Sequence, residues 1–211
     1  MTNDEVKDLI DLLDKQHPNA VCELEYSSIY ELLVAVILSA QCTDKRVNIV
    51  TKKLFAVVNT PEQMAKIDIE QLEKMIFSCG FYHNKAKNII ACSKDIVDRF
   101  GGEVPSNIDD LMSLAGVGRK TANVVYAVGF GGNAIAVDTH VLRLSNRLGF
   151  VDSDNPLAAE KALMSAVPEE YWSHLHHLLI HHGRYVCSSQ KPKCDECLIK
   201  KYCKYIKEVK K

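Results

Sequence analysis

Four cysteines near the C-terminus carry the clearest chemistry in the sequence. Cys187, Cys194, Cys197 and Cys203 are separated by six, two and five residues. Four thiolates in so short a span can close around one metal centre, and Cys-x-x-Cys is a familiar ligand spacing. Four unrelated buried cysteines would be the bland alternative, and so polar a stretch argues against it. Spacing alone does not separate zinc from a [4Fe–4S] cluster. Between the first two cysteines lies SSQKPK, with Lys191 and Lys193. Pinned at both ends by a metal, that loop would hold two ammonium groups toward a phosphate backbone at little ordering cost, which makes the metal structural rather than redox-active.

A second centre lies between Leu111 and His140, LMSLAGVGRKTANVVYAVGFGGNAIAVDTH. Ser106 and Asp109 are spaced like a capping box with Asp in place of Glu, which predicts a short helix to about Ala115. Gly116-Val117-Gly118 then breaks it, because two glycines around one apolar residue allow positive φ and close backbone approach. From Arg119 the pattern is helical again, with Ala122, Val125, Tyr126 and Gly129 on one stripe. The free N–H groups at the start of this second helix can bind a phosphate without reading any base. Lys120 stands at that start, and taken alone it reads as a solvated lysine. Asp138, in VDTHV, taken alone reads as a helix N-cap.

Other chemistry-bearing residues read as ordinary. His177 and His181 are spaced i, i+4, but no acid completes a zinc site of the known kind. His174, His176 and His182 share the same leucine-rich helix, so all five read as satisfied helix histidines. Cys22, Cys42, Cys79 and Cys92 lie in apolar surroundings and read as small hydrophobes.

These residues need helices to position them. The chain has 211 residues, 47% hydrophobic and 25% charged, with ten glycines and six prolines, enough to bury a sizeable core in one domain or two small ones. Apolar faces at helical spacing recur throughout. Val6, Leu9, Ile10 and Leu13 make the first, and Ser28 caps a second helix, buried nearly all round, to about Ala40. Thr43 or Asp44 caps a third with Val47, Val50, Leu54 and Val57 inward. Further helices are predicted from Thr60-Pro61, over Ile69–Cys79 and Asn84–Phe100, and from Asp138, Asn155-Pro156 and Glu169. No run alternates with period two, so the fold class is all-α.

The longest apolar run, Leu32 to Leu38, is too short to span a membrane. With no signal-peptide pattern, the expected compartment is the cytoplasm, where cysteines stay reduced. The net charge of −1 conceals an asymmetry. Residues 1–31 hold eight acids against Lys7 and Lys15, and residues 191–211 hold eight lysines against Asp195, Glu196 and Glu208. Such a separation gives one basic face, while Lys207–Lys211 reads as a solvated tail.

LAGVGRKTA resembles the helix-hairpin-helix motif of DNA repair glycosylases, and with VDTH downstream the chain is similar to the endonuclease III family. The resemblance continues through LLVAVILSAQCTD, GFYHNKAKNI and the four C-terminal cysteines. Ala115 stands where that family usually has proline, a departure that leaves both hairpin glycines intact.

The resemblance implies a bifunctional glycosylase and abasic-site lyase acting on oxidised pyrimidines in duplex DNA. It implies a monomer associated with the nucleoid. It implies two helical domains, one spanning 22–132 and one joining 1–21 to 133–211, and it favours iron–sulfur over zinc at Cys187, Cys194, Cys197 and Cys203. Lys120 matches the nucleophile that attacks the sugar C1′, expels the base and leaves a Schiff base. An ordinary lysine, with a pKa of ~10.4, is neutral only about once in 2,500 molecules at pH 7. The site is therefore expected to be dry when occupied. Asp138 matches the acid that takes a proton and stabilises positive charge on the sugar. Gly116, Val117 and Gly118 would hold the backbone, together with Lys191 and Lys193. Gln41 matches the residue that fills the space vacated by the flipped base. Phe81 stands where the family commonly has a leucine wedge, and an aromatic ring can insert between base steps as well.

Two other readings compete. A monofunctional mismatch glycosylase is disfavoured by Lys120 and by the lack of the extra C-terminal domain of those enzymes. A non-catalytic DNA-binding module is disfavoured by the presence of both Lys120 and Asp138.

Overall fold

The computed structural model describes residues 1–209, and Lys210 and Lys211, the end of the expected lysine tail, lie outside the described residues. Twelve α-helices and no strand occur among them. The chain divides into two compact units, one of Glu23–Gly132 and one of Met1–Cys22 with Asn133 onward.

The unit of Glu23–Gly132 is built on α2 (Ile29–Ser39), whose sequence IYELLVAVILS is apolar on every side. A helix of that kind has to be surrounded, and all its residues from Tyr30 to Leu38 are buried. Ser28 caps it through a bond from Glu31 N–H. Around it lie α3 (Asp44–Phe55), α4 (Pro61–Met64), α5 (Ile69–Ile76), α6 (Tyr82–Phe100), α7 (Ile108–Met112) and α8 (Arg119–Phe130). α8 packs on α2 closely enough that a Cβ at Gly129 would sit 3.1 Å from Ile29 Cγ2 and 3.2 Å from Leu32 Cδ2. Tyr30 Oη and Ser93 Oγ share a buried hydrogen bond of 2.6 Å, which joins α2 to α6.

The other unit contains α1 (Asn3–Gln16), α9 (Thr139–Leu148), α10 (Pro156–Ala166), α11 (Trp172–Tyr185) and the short α12 (Lys204–Val209). A full capping box starts α1: Glu5 N–H donates to Thr2 Oγ1 and Thr2 N–H to Glu5 Oε2. Its apolar face, Val6, Leu9, Ile10 and Leu13, joins Val141, Leu144, Leu163, Leu175, Leu178 and Leu179 in one core. α9 and α11 approach so closely that a Cβ at Gly183 would lie 2.7 Å from His140 Cβ. No helix among the described residues is long and apolar enough to cross a membrane.

Several boundaries differ from expectation. α7 is capped by Asn107 rather than Ser106, since Asn107 Oδ1 accepts from Asp110 N–H at 2.9 Å and Asn107 Nδ2 donates to Asp110 Oδ2 at 2.6 Å. That pairing moves the box one residue on. α7 is also shorter than predicted, ending at Met112. α3 stops at Phe55, so Val57 is exposed and Val58 is buried in its place. α6 begins at Tyr82 because Phe81, at φ 58, turns the chain into the helix two residues before Asn84. Glu169–Tyr171 is a 3-10 turn ahead of α11.

Candidate nucleic-acid interface and cysteine centre

The hairpin sits between α7 and α8. Val117 N–H donates to Leu114 O at 3.1 Å, which closes a tight turn. The buried Val117 side chain anchors the turn from beneath. Gly116 has φ +75, and a Cβ there would lie 2.6 Å from Asn88 Cβ, so conformation and space both require glycine. Gly118 is the N-cap of α8, in extended conformation with no side-chain cap. A Cβ at Gly118 would meet nothing within 4 Å, so this edge of the hairpin is open.

The first turn of α8 contains no acid. Arg119 and Lys120 occupy it instead, both exposed. A cation at a helix N-terminus opposes the macrodipole by ~0.3–1 kcal/mol. An anion bound at the same place would reverse that sign, so the arrangement is poor for a bare helix and good for one carrying a phosphate.

Gln41 and Phe81 are the two non-glycine residues with positive φ among the described residues, at 53 and 58. Such conformations cost on the order of 1–3 kcal/mol each and persist where the surroundings enforce them. Both side chains are exposed, Phe81 to 65%, so Phe81 does not pack on the core. The two loops touch: a Cβ at Gly80 would lie 3.3 Å from Gln41 O. Beneath them Lys85, buried in α6, donates from Nζ to Leu38 O at 2.9 Å and to Ala40 O at 2.6 Å.

In the other unit, Ala134–Val137 is a buried segment outside any helix that leads to Asp138. Asp138 Oδ1 accepts from His140 N–H at 2.9 Å and Val141 N–H at 2.8 Å, and so caps α9. The carboxylate is thereby fixed in place while staying partly exposed.

The four cysteines follow α11. Burial pushes the Cys197 thiol up to about 11, and Cys187, Cys203 and Cys194 push in the same direction. Cys203 is raised by burial, with Cys187 and Cys194 adding to it. The four sulfurs are therefore near enough to feel one another, although no three His, Cys, Asp or Glu side chains among the described residues are gathered to hold a single ion. Two arginines of α9 organise the loop that follows Cys187. Arg147 Nη1 donates to Cys187 Sγ at 3.0 Å and to Ser188 O at 2.8 Å, and its Nη2 to Ser189 O at 3.0 Å. Arg143 donates to Cys187 O and Gly183 O. Lys191 and Lys193 are exposed on that loop. The five histidines have mixed surroundings, and His182 Nε2 lies 3.4 Å from Cys197 Sγ. His174 pairs with Asp14 at 2.7 Å, His181 with Val21 O at 3.1 Å and His182 with His17 at 3.0 Å. His176 is buried, and burial lowers His177 to about 4.

Residues 34–169 match the HhH-GPD superfamily of base excision DNA repair proteins. Endonuclease III of Bacillus subtilis (strain 168) is 52% identical over 196 residues, 92% of this chain and 90% of that protein. The chain belongs to the endonuclease III family. Endonuclease III of Escherichia coli (strain K12) is 43% identical over 202 residues, 96% of each chain. A solved structure of a trapped covalent intermediate of endonuclease III with DNA, an estranged-adenine complex, covers 100% of both chains at 47% identity with a TM-score of 0.94. The structure of a thermostable thymine-DNA glycosylase, 23% identical, shares the fold with a TM-score of 0.86 over 98% of each chain.

Within this endonuclease III fold, three residues escaped the sequence reading. Lys85 carried a signal: it occupies a place on the stripe Lys85, Ile89, Cys92, Ile96, where a helix of this kind buries apolar groups. Arg143 and Arg147 left only the i, i+4 spacing of two cations, which usually marks a solvated face. Tertiary packing set that face against the loop following Cys187.

Proposed function

We propose that this endonuclease III family member excises oxidised pyrimidines from duplex DNA and cuts the resulting abasic site, with Lys120 as nucleophile and Asp138 as its acid–base partner. Membership of the family makes the chain a base excision repair enzyme. One observation carries the assignment of Lys120: it is exposed in the first turn of α8, directly after a hairpin whose helix start has no side-chain cap.

The backbone of Gly116, Val117 and Gly118 holds a phosphate beside the damaged nucleotide, and Lys191 and Lys193 hold the backbone of the duplex. Phe81 enters the stack, Gln41 fills the vacated space, and the nucleotide swings out. The neutral Lys120 amine then attacks C1′, forming a carbon–nitrogen bond as the bond to the base breaks. The base leaves with the electron pair and takes a proton. Asp138 takes the proton released from the amine and balances the positive charge that builds on the sugar. The sugar ring opens to a Schiff base. Loss of a C2′ proton then expels the 3′ phosphate, and water releases the enzyme.

Cys187, Cys194, Cys197 and Cys203 would hold a [4Fe–4S] cluster. Four cysteines close together in the chain, with the Arg147 guanidinium donating to the sulfur of Cys187, are a donor set suited to an anionic iron–sulfur centre. The cluster would supply a rigid cross-link beneath the Lys191–Lys193 loop. The chain would work as a hairpin domain, 22–132, and a cluster domain, 1–21 with 133–211, a reading supported by the compact units of Glu23–Gly132 and of Met1–Cys22 with Asn133 onward. The enzyme would act as a monomer in the cytoplasm, on the nucleoid.

Borohydride trapping tests the assignment, because reduction turns the Schiff base into a stable amine. Lys120→Gln abolishes the adduct and leaves binding to undamaged duplex nearly unchanged. An adduct that survives this substitution places the nucleophile elsewhere.

A further inference from the structure

Lys85 is a buried ammonium with no carboxylate partner in its hydrogen bonds. Its Nζ donates to Leu38 O and Ala40 O, the carbonyls that end α2. α2 ends without a basic residue in its last turn, on Ala40 rather than on a glycine. A helix end leaves its last carbonyls without partners and carries partial negative charge. Lys85 meets both needs from another helix. The ionisable groups beside it are the thiols of Cys79 and Cys42.

The same residue reaches the second strained position. Lys85 N–H donates to Phe81 O at 3.1 Å, the first backbone bond of α6. One residue thus ties the peptide after Ala40, which leads into Gln41 at φ 53, to the peptide of Phe81 at φ 58. Gly80, close against Gln41 O, is the third side of this arrangement. Cys42 N–H donates to Ser39 O at 3.0 Å and closes the turn over Ala40 and Gln41. The Ala40 carbonyl, however, is left to Lys85. Without the ammonium the Ala40–Gln41 peptide loses that bond and is freer to rotate.

We propose that Lys85 is a positioning residue that locks Gln41 and Phe81 into one rigid pair, so that opening of the base stack and filling of the gap occur together. The proposal rests on the assignment of Gln41 as the gap-filling residue. Lys85 touches neither DNA nor the reacting sugar; it fixes the two exposed tips from beneath.

The test uses the full chain and duplex DNA with one abasic site opposite 2-aminopurine, whose fluorescence reports how the orphaned base is held. Lys85→Met keeps the buried stem and removes the charge. It is expected to weaken binding to the abasic duplex by roughly tenfold, the weight of about one hydrogen bond, and to remove the change in 2-aminopurine fluorescence. Undamaged duplex should bind as before. Gln41→Ala should show the same two losses, and Lys85→Met should add nothing in the Gln41→Ala background. Equal weakening for undamaged and abasic duplex would overturn the proposal by making Lys85 a general scaffold residue. So would additive effects of the two substitutions. A wild-type response in Lys85→Met beside a defective Gln41→Ala would overturn the proposal alone. A wild-type response in Gln41→Ala would overturn the Gln41 assignment and the proposal with it. If Lys85→Met does not fold, Lys85→Gln, an uncharged donor of shorter reach, is judged by the same readouts.

Discussion

Gly116 and Asn88 stand so close that a methyl group on Gly116 would fall 2.6 Å from Asn88 Cβ. The hairpin is therefore pressed against α6, with its left-handed glycine at the point of contact. Gly116→Ala combines a strained φ of +75 with that overlap. It should cost roughly 2 kcal/mol or more of stability and weaken binding to undamaged duplex. Thermal melting and a binding titration check both. An alanine variant with unaltered melting and binding would remove the hairpin from its assigned role.

Asp138→Asn separates the two roles of that residue. Asparagine caps a helix about as well as aspartate, so melting should shift little. Base release from damaged DNA should slow by at least tenfold, because an amide neither accepts the proton nor balances the sugar charge. On DNA that is already abasic the slowing should be smaller, since no glycosidic bond remains to break. Asp138→Ala should lose ~1 kcal/mol of stability as well. Full activity of Asp138→Asn on a damaged base would leave Asp138 as a cap alone.

Lys191 and Lys193 are exposed on a loop held by Arg147 and flanked by cysteines. Replacing both by alanine should weaken binding to all duplexes alike and lower the salt dependence of log Kd by ~1–2. Measured slopes that match the parent protein would take this loop out of the interface.

Protein purified without air should be brown and contain four irons and four sulfides per chain. One zinc and no iron would overturn the cluster assignment.

His177 makes the α11 unit sensitive to acid. Burial, followed by the charges of His181 and His174, lowers its pKa to about 4 from an ordinary 6.5. The folded form therefore resists protonation that the unfolded chain accepts. This contribution is fully present above pH 6.5 and is lost as pH falls toward 4, up to ~3 kcal/mol in all. His177→Leu should flatten the dependence of the melting temperature between pH 7 and pH 4.5. A variant as acid-sensitive as the parent would contradict this.

The sequence by itself determined the helices, because apolar spacing and caps are local. α2 is apolar all round and so had to be central, and Thr43, Thr60, Asp138 and Asn155 cap where their side-chain chemistry dictates. The hairpin was equally legible, since two glycines around a valine admit few conformations. The cap of α7 was misplaced by one residue because Ser106 and Asn107 both suit that position, and only the reach of Asp110 to Asn107 decides between them. Tertiary structure alone decided three things. It set Gln41 and Phe81 in left-handed conformations, which no local rule favours for a glutamine or a phenylalanine. It turned Lys85 inward to α2 carbonyls 45 and 47 residues away in the chain. It laid Arg147 against Cys187, a partner 40 residues further on. Each of these depends on long-range packing, which brings charges and carbonyls together at separations that helical periodicity does not encode.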